Sequence, residues 1–232
     1  MSVSVKVRRG ARVSTPRGVA AKPAANGQLL SAIAYEAIRD KLVHLDIAPG
    51  AAIDEARLAA ELGLGRTPVR EAIKRLAYQK LVVVYPRSGS YAAEVNVADL
   101  ASLCDIRERL EGLAAERAAS EARYEERQEL RQLLDELEGD CPPSRLLELD
   151  TLAHRAIHRL SHNEYLFDIL TQTLDLSLRI WNLARERLPH LEHHVYGQVD
   201  ILRAILDRDP CRARELAERH VREFEDEVKE MF

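Results

Sequence analysis

The sequence predicts a mainly α-helical protein in two parts: a small front unit of three helices closed by a β-hairpin, and an all-helical bundle of about six helices behind it. Three observations lead there. The helix formers Ala, Leu, Glu and Arg dominate, whereas Gly and Pro number only ten and nine. Apolar residues recur at three- and four-residue steps along most of the chain, and a β-branched run followed by a Pro-Arg-Ser-Gly turn falls at residues 81–93. At 232 residues the chain is also longer than a usual single domain, which favours two cores.

Charge divides the chain in the same way. Residues 1–28 carry six basic side chains and no acidic one; residues 29–92 carry nine basic against seven acidic; the remainder carries 19 basic and 31 acidic. A basic front and an acidic rear suggest two tasks. The three cysteines, Cys104, Cys141 and Cys211, fit no CxxC spacing and read as reduced thiols rather than a disulfide framework or zinc ribbon. Neither a membrane-spanning apolar run nor the h-region of a secretory signal is present, so a cytoplasmic location and no membrane partner are expected.

Taken in order, residues 1–28 lack periodicity and are rich in small residues, Pro and Gly; they read as a disordered basic tail, either a solubilising leader or an arm that follows DNA phosphates. Residues 29–95 form the front domain. Leu30, Ile33, Ala34, Ala37, Ile38 and Leu42 recur with helical spacing, and "IAPG" at 47–50 ends that helix. A short helix follows from Asp54, an expected N-cap, through Leu58, Ala59 and Leu62, and "LGLG" supplies a turn. The third helix opens at Gly65-Arg66-Thr67-Pro68. Val69, Ala72, Ile73 and Leu76 mark its inward stripe, while Arg66, Thr67, Arg70 and Lys74 project from the other side. "LVVVYPRSGSYAA" reads as a hairpin with Arg87 near its tip.

Helix, tight turn, and a second helix with a basic outer face meet the requirements for docking in a DNA major groove, where arginine grips guanine O6 and N7 and lysine or threonine holds phosphate. A solvated charged face is the plain alternative for that helix alone; the hairpin wing, which puts Arg87 within reach of phosphate or minor groove, favours the DNA reading. The stretch "YEAIRDKLVHLDIAPGAAIDEARLAAELGLGRTPVREAIKRLAYQKLVVVYPRSGSYAAEV" resembles the winged helix-turn-helix of the GntR family of bacterial transcription regulators over residues 32–95. Gly65 stands where members usually have Ser, which removes an N-cap hydroxyl and implies modestly weaker affinity.

Residues 96–232 read as helices broken at "ARYEE", "GDCPPS", "SHNEY", "RLPHLE" and "RDPCR". No GxGxxG, P-loop, nucleophile elbow or HExxH is present. Arg107 shares a stripe with Leu103, Leu110 and Ala114 and therefore needs an anionic partner, either an internal carboxylate or a ligand. In "LLELDTLAHRAIHRLSHN", Asp150 and His154 lie in the stripe of Leu146, Ala153, Ile157 and Leu160, with His158 on its flank as a surface residue or a support to the ligands. A hydrogen-bonded core histidine and a metal pair are both compatible with that spacing. Arg179 and Trp181 in "LRIWNLARER" are candidate cavity residues, and Trp181 is equally a core residue.

This half resembles the FCD ligand-binding domain of the FadR-type subfamily over about 97–225, through "DIRERLEGLAAERAA", "LDTLAHRAIHRLSHNEYL" and "ILRAILDRDPCRARELAERHV". The resemblance implies a divalent metal, of the zinc or nickel class, held by one Asp and three His and helping to bind a carboxylate effector. The Asp corresponds to Asp150, the first His to His154 and the last to His220; the middle position is Gln198, a weaker donor than imidazole. Three arrangements follow: Gln198 coordinates weakly or through water, His194 swings in, or the pocket works without metal. His193, His194 and Tyr196 read equally well as surface residues.

The expected protein is a homodimeric, ligand-responsive repressor and not an enzyme. Its partners are an operator in double-stranded DNA, contacted through Arg66, Thr67, Arg70, Lys74 and Arg87, and a small carboxylate held by Arg107, Arg179 and Trp181. Two rivals stand beside it: a metal-dependent hydrolase using Asp150, His154 and His220, and an architectural DNA-binding dimer whose rear core is filled.

Overall fold

The computed structural model describes residues 23–140, 142–184 and 191–230, with the side chains of 23–26, 143–144, 184 and 191–196 left out. Helix α1 spans Pro23–Val43. It therefore starts inside the stretch expected to be tail. Pro23 suits a first helical turn, and Ala24 and Ala25 are strong helix formers that offset the cost of Gly27. Residues 1–22 of the expected basic tail lie outside the described residues. The buried face of α1 is Ala34, Tyr35, Ile38 and Leu42, whereas Ile33 is 47% exposed; the helix is rotated so that Tyr35 rather than Ile33 points inward.

Helix α2 (Glu55–Leu62) starts where Asp54 caps it, the carboxylate accepting from the amides of Ala56 and Arg57 at 2.9 and 3.0 Å. Gly63 ends it in the left-handed region. Helix α3 (Arg66–Tyr78) has Gly65 as its N-cap and no side-chain cap bond, as the missing serine hydroxyl implies. Strands β1 (Val82–Tyr85) and β2 (Gly89–Ala92) pair antiparallel, with Val82 opposite Ala92 and Tyr85 opposite Gly89. Behind them Gly50, at φ +75°, lies so close to Glu94 that a β-carbon would strike that carboxylate. Ile38, Leu42, Val69, Ile73, Leu76 and Leu81 anchor the core of this unit.

One 3-10 turn (Val97–Asp99) leads into the rear bundle of α4 (Leu100–Glu121), α5 (Tyr124–Glu138), α6 (Pro143–Leu160), α7 (Glu164–Ala184), α8 (Leu191–Leu206) and α9 (Pro210–Lys229). Six helices match the sequence expectation among the described residues. The most extensive helix pairing is α4 on α9, where Gly112 lies so close to Glu218 that a β-carbon would come within 2.6 Å of its side chain. Cys104 is buried, which pushes its thiol up to about 11, and Cys211 is exposed; both are free thiols, while Cys141 lies outside the described residues.

The two units are joined along α1 and α7. Buried Arg179 donates from Nε to the carbonyl of Leu42 at 3.2 Å and from Nη2 to that of Ala93 at 2.6 Å, and Asn182 donates to the carbonyl of Val43 at 2.8 Å. The last carbonyls of α1, which have no partner within the helix, are thus satisfied by the rear bundle. Beside them Asp175, fully buried on α7, bonds Arg155 at 3.1 Å and faces Arg39 of α1 at 3.9 Å.

Candidate functional site

The outer face of α3 is solvent-exposed at Arg66, Thr67, Arg70 and Lys74, while Val69, Ala72, Ile73 and Leu76 on its opposite side are at most 2% exposed. The stripe that fixes α3 in the core therefore also fixes which side chains leave it. Arg70 is oriented by Glu55 in the first turn of α2, its Nε donating to Oε2 at 2.7 Å. That bond engages Nε and not the two terminal nitrogens. Arg87 stands at the wing tip with φ 65°, in a turn closed by the Ser88 amide donating to the Tyr85 carbonyl at 3.1 Å. Pro86 followed by a positive φ is a type II turn, where glycine or asparagine is the usual occupant. Arg87 adopts that conformation at a cost in backbone strain and is exposed to solvent.

A second site lies inside the rear bundle, a cavity of about 400 Å³. Arg107 from α4, Asp150 and His154 from α6, Trp181 from α7, and His220 and Phe224 from α9 line it. The end of α1 forms another part of the wall through Asp40, Val43 and His44, so the space is bounded by both units. Trp181 is at once core and wall: it is 3% exposed and its ring centroid lies 5.5 Å from that of Phe224. Arg179, expected in this cavity, is not on its wall. Its guanidinium is taken by the carbonyls of Leu42 and Ala93, because α7 turns that residue toward the front unit.

Arg107 has the internal carboxylate its stripe required. It donates to Glu111 Oε1 from Nε at 3.3 Å and Nη2 at 3.0 Å. His158 is not a surface residue: it is fully buried, with Nε2 2.8 Å from Glu111 Oε2. Burial pushes His158 down toward the neutral ring, so its Nε2–H donates to the carboxylate. For Glu111 burial works upward, but the His158 and His154 rings that face it hold it well below the ordinary carboxylate range. Sequence reasoning missed Glu111. Its only signal was a spacing of four from Arg107 on a helix.

Asp150, His154 and His220 offer one donor atom each within 4.8 Å of one another, all buried. Nε2 of His154 is 3.9 Å from Asp150 Oδ2, too far for a hydrogen bond and within the reach of one shared ion. Burial pushes the Asp150 carboxyl up, and His154 and Arg107 only partly counter it; Asp150 Oδ1 has no hydrogen-bond partner among the described residues. A buried carboxylate short of positive charge beside two imidazoles fits a divalent metal. Gln198 is fully buried with both amide atoms unpartnered among the described residues, and its neighbour Gly197 lies against His220, where a β-carbon would come within 2.6 Å of Nδ1. The side chains of His193, His194 and Tyr196 lie outside the described residues.

Comparison with known proteins agrees with the two-part architecture. Residues 30–91 match the model for bacterial regulatory proteins of the gntR family, and residues 102–223 match the FCD domain. The Nta operon transcriptional regulator of Aminobacter aminovorans is 31% identical over 192 residues, covering 79% of this chain and 87% of that protein. The HTH-type transcriptional repressor RspR of Escherichia coli strain K12 is 25% identical over 200 residues, covering 85% of this chain and 88% of the repressor. In fold, E. coli McbR/YncC superposes with a TM-score of 0.73 at 22% identity, over 87% of this chain and 97% of that one. No described helix is long and apolar enough to cross a membrane. With a winged helix-turn-helix in front and an FCD domain behind, the chain belongs to the GntR family of bacterial transcription regulators and is not an enzyme.

Proposed function

We propose that this regulator is a cytoplasmic homodimeric repressor whose hold on its operator is set by a small carboxylate bound in the rear cavity. The observation that carries this reading is the composition of the cavity wall: a cationic and imidazole-rich end at Arg107, His154 and His220, and a second part supplied by the last turn of α1. An architectural DNA-binder would have a filled bundle instead. Since α1 also packs on α3, an occupant touches the helix against which the DNA-reading helix rests.

In the groove, Arg70 is assigned to a guanine edge, Arg66, Thr67 and Lys74 to neighbouring bases and phosphates, and Arg87 on the wing to phosphate or the minor groove. A dimer sets two such helices on the half-sites of a near-palindromic operator. In the cavity, Arg107 pairs with the carboxylate of the effector and Trp181 packs against its carbon skeleton. Asp150, His154 and His220 are assigned to a divalent metal of the zinc or nickel class, with the Gln198 carbonyl as a weak fourth donor. When bound, that ion supplies positive charge against which an anion is held. The effector acts by binding more tightly to the arrangement of the two units that fits DNA poorly; equal affinity for both arrangements would shift nothing.

The test is a thermal-shift screen of small carboxylates with and without Ni²⁺ or Zn²⁺, followed by fluorescence anisotropy on genomic fragments selected for binding. A true effector raises the melting temperature and releases DNA from the wild type, and does neither with Arg107→Met. A screen in which no carboxylate stabilises the protein or moves DNA binding removes the reading. Gln198→His should raise divalent-metal retention in elemental analysis of the purified protein; unchanged retention takes Gln198 out of the ligand set.

A further inference from the structure

We infer that Glu111 is the positioning residue of the candidate metal centre: it accepts the Nδ1–H of His154, so that Nε2 is the nitrogen offered to the cation, and it ties that choice to Arg107 on the cavity wall. The inference rests on the assignment of Asp150, His154 and His220 as the metal ligands.

His154 stands between two carboxylates. Its Nε2 faces Asp150 at 3.9 Å and its Nδ1 faces Glu111 Oε1 at 3.5 Å. A neutral imidazole has one N–H and one lone pair, and whichever nitrogen meets a fixed acceptor keeps the proton. Glu111 is such an acceptor. It is 3% exposed and held from two sides, by Arg107 at 3.0 Å and His158 at 2.8 Å, and it faces His154 Nδ1 at 3.5 Å, a buried nitrogen that has no other hydrogen-bond partner among the described residues. Carboxylates placed behind a ligating histidine orient the ring and make it a better donor.

Glu111, His154 and His158 also lie close enough to form a ligand set of their own. The committed lone pairs argue against it. Glu111 Oε1 is engaged by Arg107 and Oε2 by His158, whereas Asp150 Oδ1 has no hydrogen-bond partner among the described residues. The cation belongs on the Asp150 side of the ring and Glu111 behind it. Because Arg107 lines the cavity, an anion that draws its guanidinium away leaves Glu111 with more charge for His154 and strengthens Nε2 as a donor. Anion and metal then favour each other, and linkage requires the effect to be mutual.

The experiment titrates the full-length apoprotein with Co²⁺ by competition against a chelator and records the paramagnetically shifted proton spectrum of the loaded protein. Glu111→Gln should weaken Co²⁺ binding by roughly 10- to 100-fold, the usual loss when a partner behind a ligating histidine is removed. It should also lose one of the shifted exchangeable imidazole N–H resonances, a change that a merely structural role for Glu111 would not cause. Because a lone Gln leaves Arg107 buried and unpaired, Arg107→Met/Glu111→Gln, which neutralises the pair, is measured alongside and should show the same two losses. His158→Leu, which removes one of the two contacts that hold Glu111, should cost no more than the Glu111 variants do, while Asp150→Asn abolishes binding. The inference is overturned if the Glu111 variants bind as tightly as wild type with the N–H resonance intact, or if His158→Leu loses binding as Asp150→Asn does. Wild-type protein that takes up no Co²⁺ overturns the metal assignment as well.

Discussion

On the proposed reading, Arg70 serves recognition rather than folding. Its ion pair with Glu55 is largely exposed and so adds little stability, but it restricts the directions the guanidinium takes. Arg70→Ala should therefore leave the melting temperature nearly unchanged while removing roughly 1–3 kcal/mol of discrimination between operator and mismatched DNA, read by competitive mobility shift. Asp175 makes a different prediction. Burial pushes its carboxyl up to about 6, with Arg155 and Arg39 only partly opposing. Between the ordinary aspartate value of 3.8 and about 6 the folded chain holds a proton that the unfolded chain has released, so this residue's contribution falls as pH rises through that window. Urea unfolding from pH 4 to 6 should lose up to about 1.4 kcal/mol per pH unit from this source. Asp175→Asn should flatten the slope; an identical slope in the variant removes Asp175 as its cause.

At the level of elements, α8 and α9 depend on a glycine contact. Gly197→Ala places a methyl group 2.6 Å from His220 Nδ1, so the ring or the helix must move. We expect weaker metal retention in that variant, with the helical circular-dichroism signal and DNA affinity kept. What could be read in the sequence follows the range of each interaction. The cap at Asp54, the two faces of α3 and the wing hairpin are governed by neighbours within a few residues, and each was legible before the fold was known. The Arg107–Glu111 pair was within reach, since a spacing of four on a helix is a local pattern. Arg179 was not: its partners are backbone carbonyls of Leu42 and Ala93, distant in the chain and without any side-chain signature. Tyr35 displaced Ile33 from the core because the rotation of α1 is set by contacts with α3 and α7 that periodicity alone does not weigh.

For the whole molecule, the junction of α1 with α7 decides whether the two units act as one. Arg179→Met removes charged donors from two buried carbonyls, and should cost about 1–3 kcal/mol and split the calorimetric transition into two. Carboxylate binding should survive in that variant while DNA release on binding weakens; a single transition with full release would show that the bonds to α1 carry no coupling. The end of α1 also has a consequence for engineering. Because Asp40, Val43 and His44 are part of the chamber, a hybrid sensor spliced at the linker near residue 96 would exchange one side of its own binding chamber for foreign residues. Grafting this sensor onto another reading head will preserve its chemical selectivity only if the graft carries along the final turn of this protein's own α1.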